Sequence, residues 1–198
     1  MSKPYDARLA CWLVRPLTNT AVSPNHLTTL RLVTGLWGAG LLAAGNEFIA
    51  GTALVVLSNF LDHTDGELAR LAGRQSRFGH NYDLLADALV TSLLFVGLGV
   101  GLRDALGGMA TGMGVVAGLA VAAIFHLRNR LESDLGKEAT RQPHWQGFEA
   151  EDVLYLLPLI ALADGLRWFL FAAALGAPMA FGFVLWHART ARLRSNSP

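Results

Sequence analysis

Leu61-Asp62-His63-Thr64-Asp65-Gly66-Glu67-Leu68-Ala69-Arg70, followed after eight residues by Gly79-His80-Asn81-Tyr82-Asp83-Leu84-Leu85-Ala86-Asp87, carries four aspartates between two apolar runs, residues 48–61 and 84–102. Asp62 and Asp65 are three positions apart and Asp83 and Asp87 four. On a helix either spacing puts the pair on one face. The two runs read as helices joined by a short connection, which folds their charged ends together so that all four carboxylates converge. At membrane depth each such charge costs several kcal/mol. Protonation relieves that cost, and so do bound cations. Carboxylate oxygens favour hard ions such as Mg²⁺, Mn²⁺ or Ca²⁺, and two of them about 4 Å apart form a clamp suited to phosphoryl chemistry. Gly66, Ala69 and Gly79 leave room for a ligand to approach the helices, and Arg70 is placed to pair with a phosphate.

The composition supports lipid as the surrounding medium. The 198 residues are 53% hydrophobic and only 16% charged, against about 25% charged in a typical soluble domain. A membrane-crossing helix needs about 20 mostly apolar residues. Residues 27–44, 48–61 (continuing as helix towards 72), 84–102, 105–127 and 166–186 meet or approach that. The run 153–163 is short, and spans only if its helix begins near Glu149. The expectation is an all-α polytopic membrane protein with six transmembrane helices. Gly45-Asn46, Gly107-Gly108 and Asp164-Gly165 mark the turns, and small residues within the spans suit close helix packing. Residues 5–17 mix Leu9, Trp12, Leu13 and Val14 with Arg8 and Arg15, the pattern of an N-terminal amphipathic helix lying in the interface. Ser23-Pro24-Asn25 breaks the chain and caps the first span. The whole chain, 1–198, reads as one membrane domain: 1–22 interfacial helix and linker, 23–190 six-span bundle, 191–198 basic tail. The single cysteine, Cys11, excludes a disulfide framework and a multi-cysteine metal site. No cleavable signal peptide is expected.

Charge placement orients the chain. With the N-terminus cytoplasmic and six alternating spans, fourteen of the sixteen Lys and Arg residues fall on the cytoplasmic side, leaving only Arg103 and Arg167 opposite. That is the positive-inside bias. It puts both termini and the aspartate cluster on the cytoplasmic face, in a membrane expected to be a bacterial inner membrane.

At the aspartates the sequence resembles the CDP-alcohol phosphotransferase family, whose motif is D-x-x-D-G-x-x-A-R, about eight residues, then G-x-x-x-D-x-x-x-D. Asp62, Asp65, Gly66, Ala69, Arg70, Gly79, Asp83 and Asp87 fill it without departure. Upstream, Pro24-Asn25-His26-Leu27-Thr28-Thr29-Leu30-Arg31 is similar to the family's P-N-x-L-T-x-x-R entry to the first span. The resemblance implies a six-helix homodimer with a cytoplasm-facing cavity open to lipid. It implies that Asp62, Asp65 and Asp83 bind a divalent metal, Mg²⁺ or Mn²⁺ and two ions in all, with Asp87 sharing a metal and acting as the base. Gly66, Ala69 and Gly79 then line the cytidine and pyrophosphate site. Arg70 contacts phosphate, with help from Thr28 and Arg31.

The expected reaction moves a phosphatidyl group from a CDP-linked lipid donor, CDP-diacylglycerol, to the hydroxyl of a small polar alcohol, releasing CMP. Membrane lipids are expected partners and nucleic acid is not. One alternative exchanges roles, with a soluble CDP-alcohol as donor and a lipid or polyol as acceptor. Another, from a different class, is a cation- or proton-coupled transporter that uses the aspartates as an ion path. For the acceptor, the basic group His126, Arg128, Arg130 and Arg141 is the candidate holder of a phosphorylated alcohol, though positive-inside anchoring puts arginines there anyway. Glu149, Glu151 and Asp152 offer the contrasting choice of an amino alcohol. His63 and His80 flank the motif as polar or packing residues.

Overall fold

A computed structural model of the chain describes residues 5–135 and 150–195. Among these residues the regular structure is helical throughout: α1 (Tyr5–Val14), α2 (Pro24–Ala44), α3 (Phe48–Leu71), α4 (Arg77–Gly101), α5 (Arg103–Leu106), α6 (Gly108–Leu135), α7 (Leu157–Leu162) and α8 (Leu166–Ser195). Short 3-10 segments cover Arg15–Leu17 and Ala150–Leu156. Among the described residues four helices are long and apolar enough to cross a membrane: Pro24–Ala44, Arg77–Gly101, Gly108–Leu131 and Leu166–Thr190. The 24-residue α3 has the length, but its second half carries Asp62, Asp65, Glu67 and Arg70.

Local sequence explains the ends. Pro24 starts α2, where a missing N–H costs nothing. The Ser23 N–H donates to Nδ1 of His26 at 3.3 Å. Gly45 ends α2 with φ of +78°, a left-handed conformation that glycine adopts without strain. Ser76 caps α4, its Oγ accepting from the Gly79 N–H at 3.0 Å. The expected turn at Asp164-Gly165 is present, with Asp164 at φ +54°.

α2 sits between α3 and α4; α4 packs on α6 and α6 on α8, while α1 and α7 lie against α3. The apolar core gathers at the end of the bundle away from the aspartates, around Leu42, Val55, Leu94, Leu98, Leu157 and Leu170. Small residues let the helices approach there. A Cβ on Gly101 or Gly97 of α4 would collide with the carbonyls of Leu42 or Ala39 on α2, and one on Gly114 of α6 with that of Phe95. This is the packing that association in lipid depends on, where van der Waals fit replaces the hydrophobic drive.

The fifth expected span takes a different form. The chain enters it as 3-10 helix, and Pro158, which has no N–H to give, sits at the start of α7. The apolar helix Val153–Leu162 is shorter than a crossing requires, and Glu149, where the span was expected to begin, lies outside the described residues. α1 buries Ala10 and Val14 and exposes Leu9, Trp12 and Leu13.

Candidate active site

Three helices build the site. The register of α3 puts Asp62 and Asp65 on the side facing α2, and α4 brings Asp83 and Asp87 opposite them. From α2, Arg31 reaches into the gap. It is only 2% exposed and donates from Nη1 to Asp62 and, at 2.7 Å, to Asp83, and from Nη2 to Asp87. Ser58 on α3 donates to the Arg31 carbonyl at 2.9 Å and locks the two helices at this level. Asp65 takes a separate partner, accepting from Thr28 Oγ1 at 2.6 Å. One guanidinium thus ties α2 to α3 and α4, and one hydroxyl adds a second tie between α2 and α3.

Carboxylate oxygens of Asp62, Asp83 and Asp87 all lie within 4.8 Å of one another. Arg31 supplies one positive charge to these three negative ones. The donor set is all oxygen, the chemistry that a hard divalent cation prefers, and the surplus of negative charge favours such an ion further. The residues fit a Mg²⁺ or Mn²⁺ site, with Asp65 beside it.

A cavity of about 510 Å³ opens next to this cluster, large enough for a nucleotide-sized ligand. Asp65 and Asp83 line it, with Gly66, Ala69 and Arg70 along α3 and Gly79 on α4. Arg70 is 57% exposed, and a Cβ placed on Gly66 would meet only the Arg70 guanidinium, at 3.5 Å. Gly79 is tighter: a Cβ there would come within 3.1 Å of both Asn25 Oδ1 and Ser76 Oγ. The bare backbone of Gly79 therefore serves both the α2–α4 contact and the cavity.

The expected residues do not all reach the cavity, and Asp62 and Asp87 are not among those that line it. Asp65, Asp83, Gly66, Ala69, Arg70, Gly79 and Thr28 line the cavity. Arg31 instead lies beneath the carboxylates, bordering with Asp87 a separate small cavity against Asn59 and Thr91. His126, Arg128 and Arg130 on α6 line neither cavity, and Arg141 lies outside the described residues. Several wall residues carried no such assignment in the sequence. Arg74, Gln75 and Ser76 in the α3–α4 connection and Arg77 at the start of α4 line the cavity too, where charge alone is indistinguishable from topology-setting arginines. Arg74 also donates to the Thr20 and Val22 carbonyls at 3.1–3.3 Å, tying down the segment that leads into α2.

Comparison with known proteins places this geometry. The profile of the CDP-alcohol phosphatidyltransferase family matches residues 21–186. The bifunctional IPC transferase and DIPP synthase of Rubrobacter xylanophilus is 35% identical over 125 residues, which are 63% of this chain and 28% of that protein. The crystal structure of Mycobacterium tuberculosis phosphatidylinositol phosphate synthase with CDP-DAG bound superposes with a TM-score of 0.66 at 20% identity, covering 90% of this chain and 94% of that one. A second structure of that synthase, in complex with manganese and citrate, gives 0.61 at 20% identity, covering 91% and 88%. At this identity the likeness establishes the shared fold. The matched stretches span less than half the length of the curated relatives.

Proposed function

The chain belongs to the CDP-alcohol phosphatidyltransferase family, and on that premise we propose that it transfers a phosphatidyl group from CDP-diacylglycerol to the hydroxyl of a small polar alcohol, releasing CMP. The observation that carries this reading is the meeting of Asp62, Asp83 and Asp87 within 4.8 Å beside a cavity walled by Gly66, Ala69, Gly79 and Arg70. A related synthase that binds CDP-DAG shares the fold, and the same protein has been crystallised with manganese.

In this reading the donor's cytidine and pyrophosphate lie over the small residues, and Arg70 contacts a phosphate oxygen through a charge-assisted hydrogen bond. Asp62, Asp65, Asp83 and Asp87 hold one or two Mg²⁺ or Mn²⁺ ions. Bound there, a divalent ion neutralises charge on the pyrophosphate and on the departing phosphate. Asp87 accepts the proton of the acceptor hydroxyl, whose oxygen bonds to the β-phosphorus. The bond from that phosphorus to the bridging oxygen breaks, and CMP leaves with the electron pair. Arg31 fixes the spacing of Asp62, Asp83 and Asp87 and so holds the base in place. Catalysis of this kind is mostly positioning and charge stabilisation.

The rest of the arrangement follows the family pattern. Residues 1–198 act as one membrane domain of six spans, the fifth needing residues before Val153 to complete its crossing, with α1 seated in the interface through Leu9, Trp12 and Leu13. The chain works as a homodimer in a bacterial inner membrane, its termini and cavity facing the cytoplasm. A phosphorylated polyol is the first acceptor class to test, because Arg77 and Arg74 add positive charge to the cavity wall. The test is CMP release by purified protein from labelled CDP-diacylglycerol, assayed across polyol phosphates, serine and amino alcohols. CMP should appear only with both substrates present; EDTA should abolish it and Mn²⁺ or Mg²⁺ restore it. CMP formed only from a soluble CDP-alcohol would favour the exchanged roles. Solute flux into vesicles without any CMP would point to the transporter and sink the enzyme reading.

A further inference from the structure

Glu67 stands where the family motif leaves the residue open, between Gly66 and Ala69, yet it is only 2% exposed. Its neighbours Thr64 and Leu68 are buried on the same side of α3, the helix against which α1 lies. A carboxylate is not buried beside such a site without a partner. Glu67 accepts a hydrogen bond from Nη2 of Arg70 at 3.0 Å, and Arg70 is the cationic side chain of α3 that lines the cavity. The pair is lopsided, with side chains 3% and 57% exposed. An ion pair with one partner buried adds little net stability, because desolvation offsets the attraction. What it does supply is direction. The nitrogen that bonds Glu67 is also the atom nearest to a Cβ built on Gly66, at 3.5 Å. The carboxylate therefore draws the guanidinium back along α3, over the bare backbone of Gly66.

We infer that Glu67 is a positioning residue: it orients Arg70 over Gly66 so that the rest of the guanidinium fork meets a phosphate of the CDP group. An arginine carries five N–H donors in a fixed plane, so anchoring one through Glu67 aims the others. Left unanchored, an arginine this exposed loses rotamer freedom each time a phosphate binds. Glu67 removes that cost in advance. It is not grouped with Asp62, Asp83 and Asp87, and its effect on a bound phosphate passes through Arg70. The inference rests on the reading that the cavity takes the CDP group.

The test is equilibrium binding of CDP and of cytidine to the purified full chain with saturating Mn²⁺, for wild type, Glu67→Gln, Arg70→Ala and the double variant. Glu67→Gln keeps the shape and removes the charge. It should raise the Kd for CDP about tenfold, the size of one charge-assisted hydrogen bond, and leave cytidine, which has no phosphate, within about twofold. In the Arg70→Ala background the same change should alter CDP binding by less than about twofold, the signature of two residues acting as one. Equal losses in both backgrounds, equal losses for CDP and cytidine, or no loss in the single variant would each overturn the inference. Failure of the wild type to bind CDP sinks the donor reading and the inference with it; binding by the wild type with no difference in the variant sinks the inference alone. Glu67→Asp provides a second arm if the glutamine variant does not fold. It should weaken CDP binding to a lesser degree, and an unchanged Kd overturns the positioning role.

Discussion

At one end of the bundle, Gly101 of α4 lies against the carbonyl of Leu42 on α2, and Leu98, Leu157 and Leu170 fill the space around them. At the other end the same two helices are joined by Arg31, which reaches from α2 to Asp83 and Asp87 on α4 and to Asp62 on α3. The first contact works because nothing intrudes between two backbones. The second works because opposite charges meet across a gap, and beside that gap stands a cavity of about 510 Å³. The same two helices are thus held by backbone contact at one end and by charge pairing at the other. The difference teaches that the aspartates serve two ends at once: they are part of what holds α2, α3 and α4 together, and they are the chemical equipment. Substitutions at the two ends should therefore fail in different ways.

The largest separation is expected from Asp87→Asn. The change is isosteric and keeps an acceptor for Arg31, so folding and CDP binding should persist. Turnover should fall by about 10³-fold, the usual worth of a positioned general base. The measurement is CMP release beside CDP binding on the same preparation, and retained turnover would remove Asp87 from the base role. Arg31→Gln should do the reverse and strike stability first. Taking the guanidinium away leaves three carboxylates facing one another, and breaking a buried pair costs about 3 kcal/mol or more. Mn²⁺ can supply the missing positive charge. Thermal unfolding should accordingly show a loss in EDTA that Mn²⁺ reduces by more than it stabilises the wild type. A loss indifferent to Mn²⁺ would mean that the aspartates do not bind the ion.

At the apolar end Gly101→Ala should cost about 2 kcal/mol through overpacking, since the obstacle is the Leu42 backbone and not a side chain free to move. Metal should not rescue this variant. Activity per folded molecule should stay near wild type, because Gly101 lies at the far end of α4 from Asp83 and Asp87. A Mn²⁺-dependent recovery would break the comparison, showing that the two ends are not separate.

What the sequence disclosed follows the same division. The aspartate spacings on α3 and α4 are local, and helical periodicity turns them directly into a shared face; the family motif then named Gly66, Ala69, Arg70 and Gly79, all of which line the cavity. Arg31 was expected at the nucleotide and is placed among the carboxylates, because its position depends on how α2 crosses α3 and α4, where Gly35, one turn on, packs against Ser58 and Val90. Glu67 drew no attention because the motif leaves its position open, although its spacing of three from Arg70 was a usable signal. His126, Arg128 and Arg130 illustrate the opposite difficulty. Arginines at the end of a span satisfy positive-inside orientation and phosphate binding equally well in sequence; in the structure these three residues sit on α6 and line neither cavity described. The run 153–163 had the hydropathy of a span but too little length, and Pro158 marks where its α-helical part begins.

The smallest effect sharpens the comparison most finely, because it occurs where structure and ligand share one residue. Ser76 caps α4 through the Gly79 N–H and lines the cavity between Gln75 and Arg77. Ser76→Ala should lower stability by about 1 kcal/mol, the ordinary worth of an N-cap. Ser76→Asp restores the cap, and its charge suits the positive end of the helix, so the unfolding temperature should return to near wild type. The same charge would stand beside a bound pyrophosphate, and CDP affinity should fall several-fold at low salt, less so as salt rises. If the aspartate variant regained stability and CDP affinity together, the phosphates would have to lie away from the α3–α4 connection. The polar end would then be open for a reason other than the donor. If stability returns and affinity does not, helix geometry and ligand charge are separable at a single atom of the wall, and the open end of the bundle is shaped by what it binds.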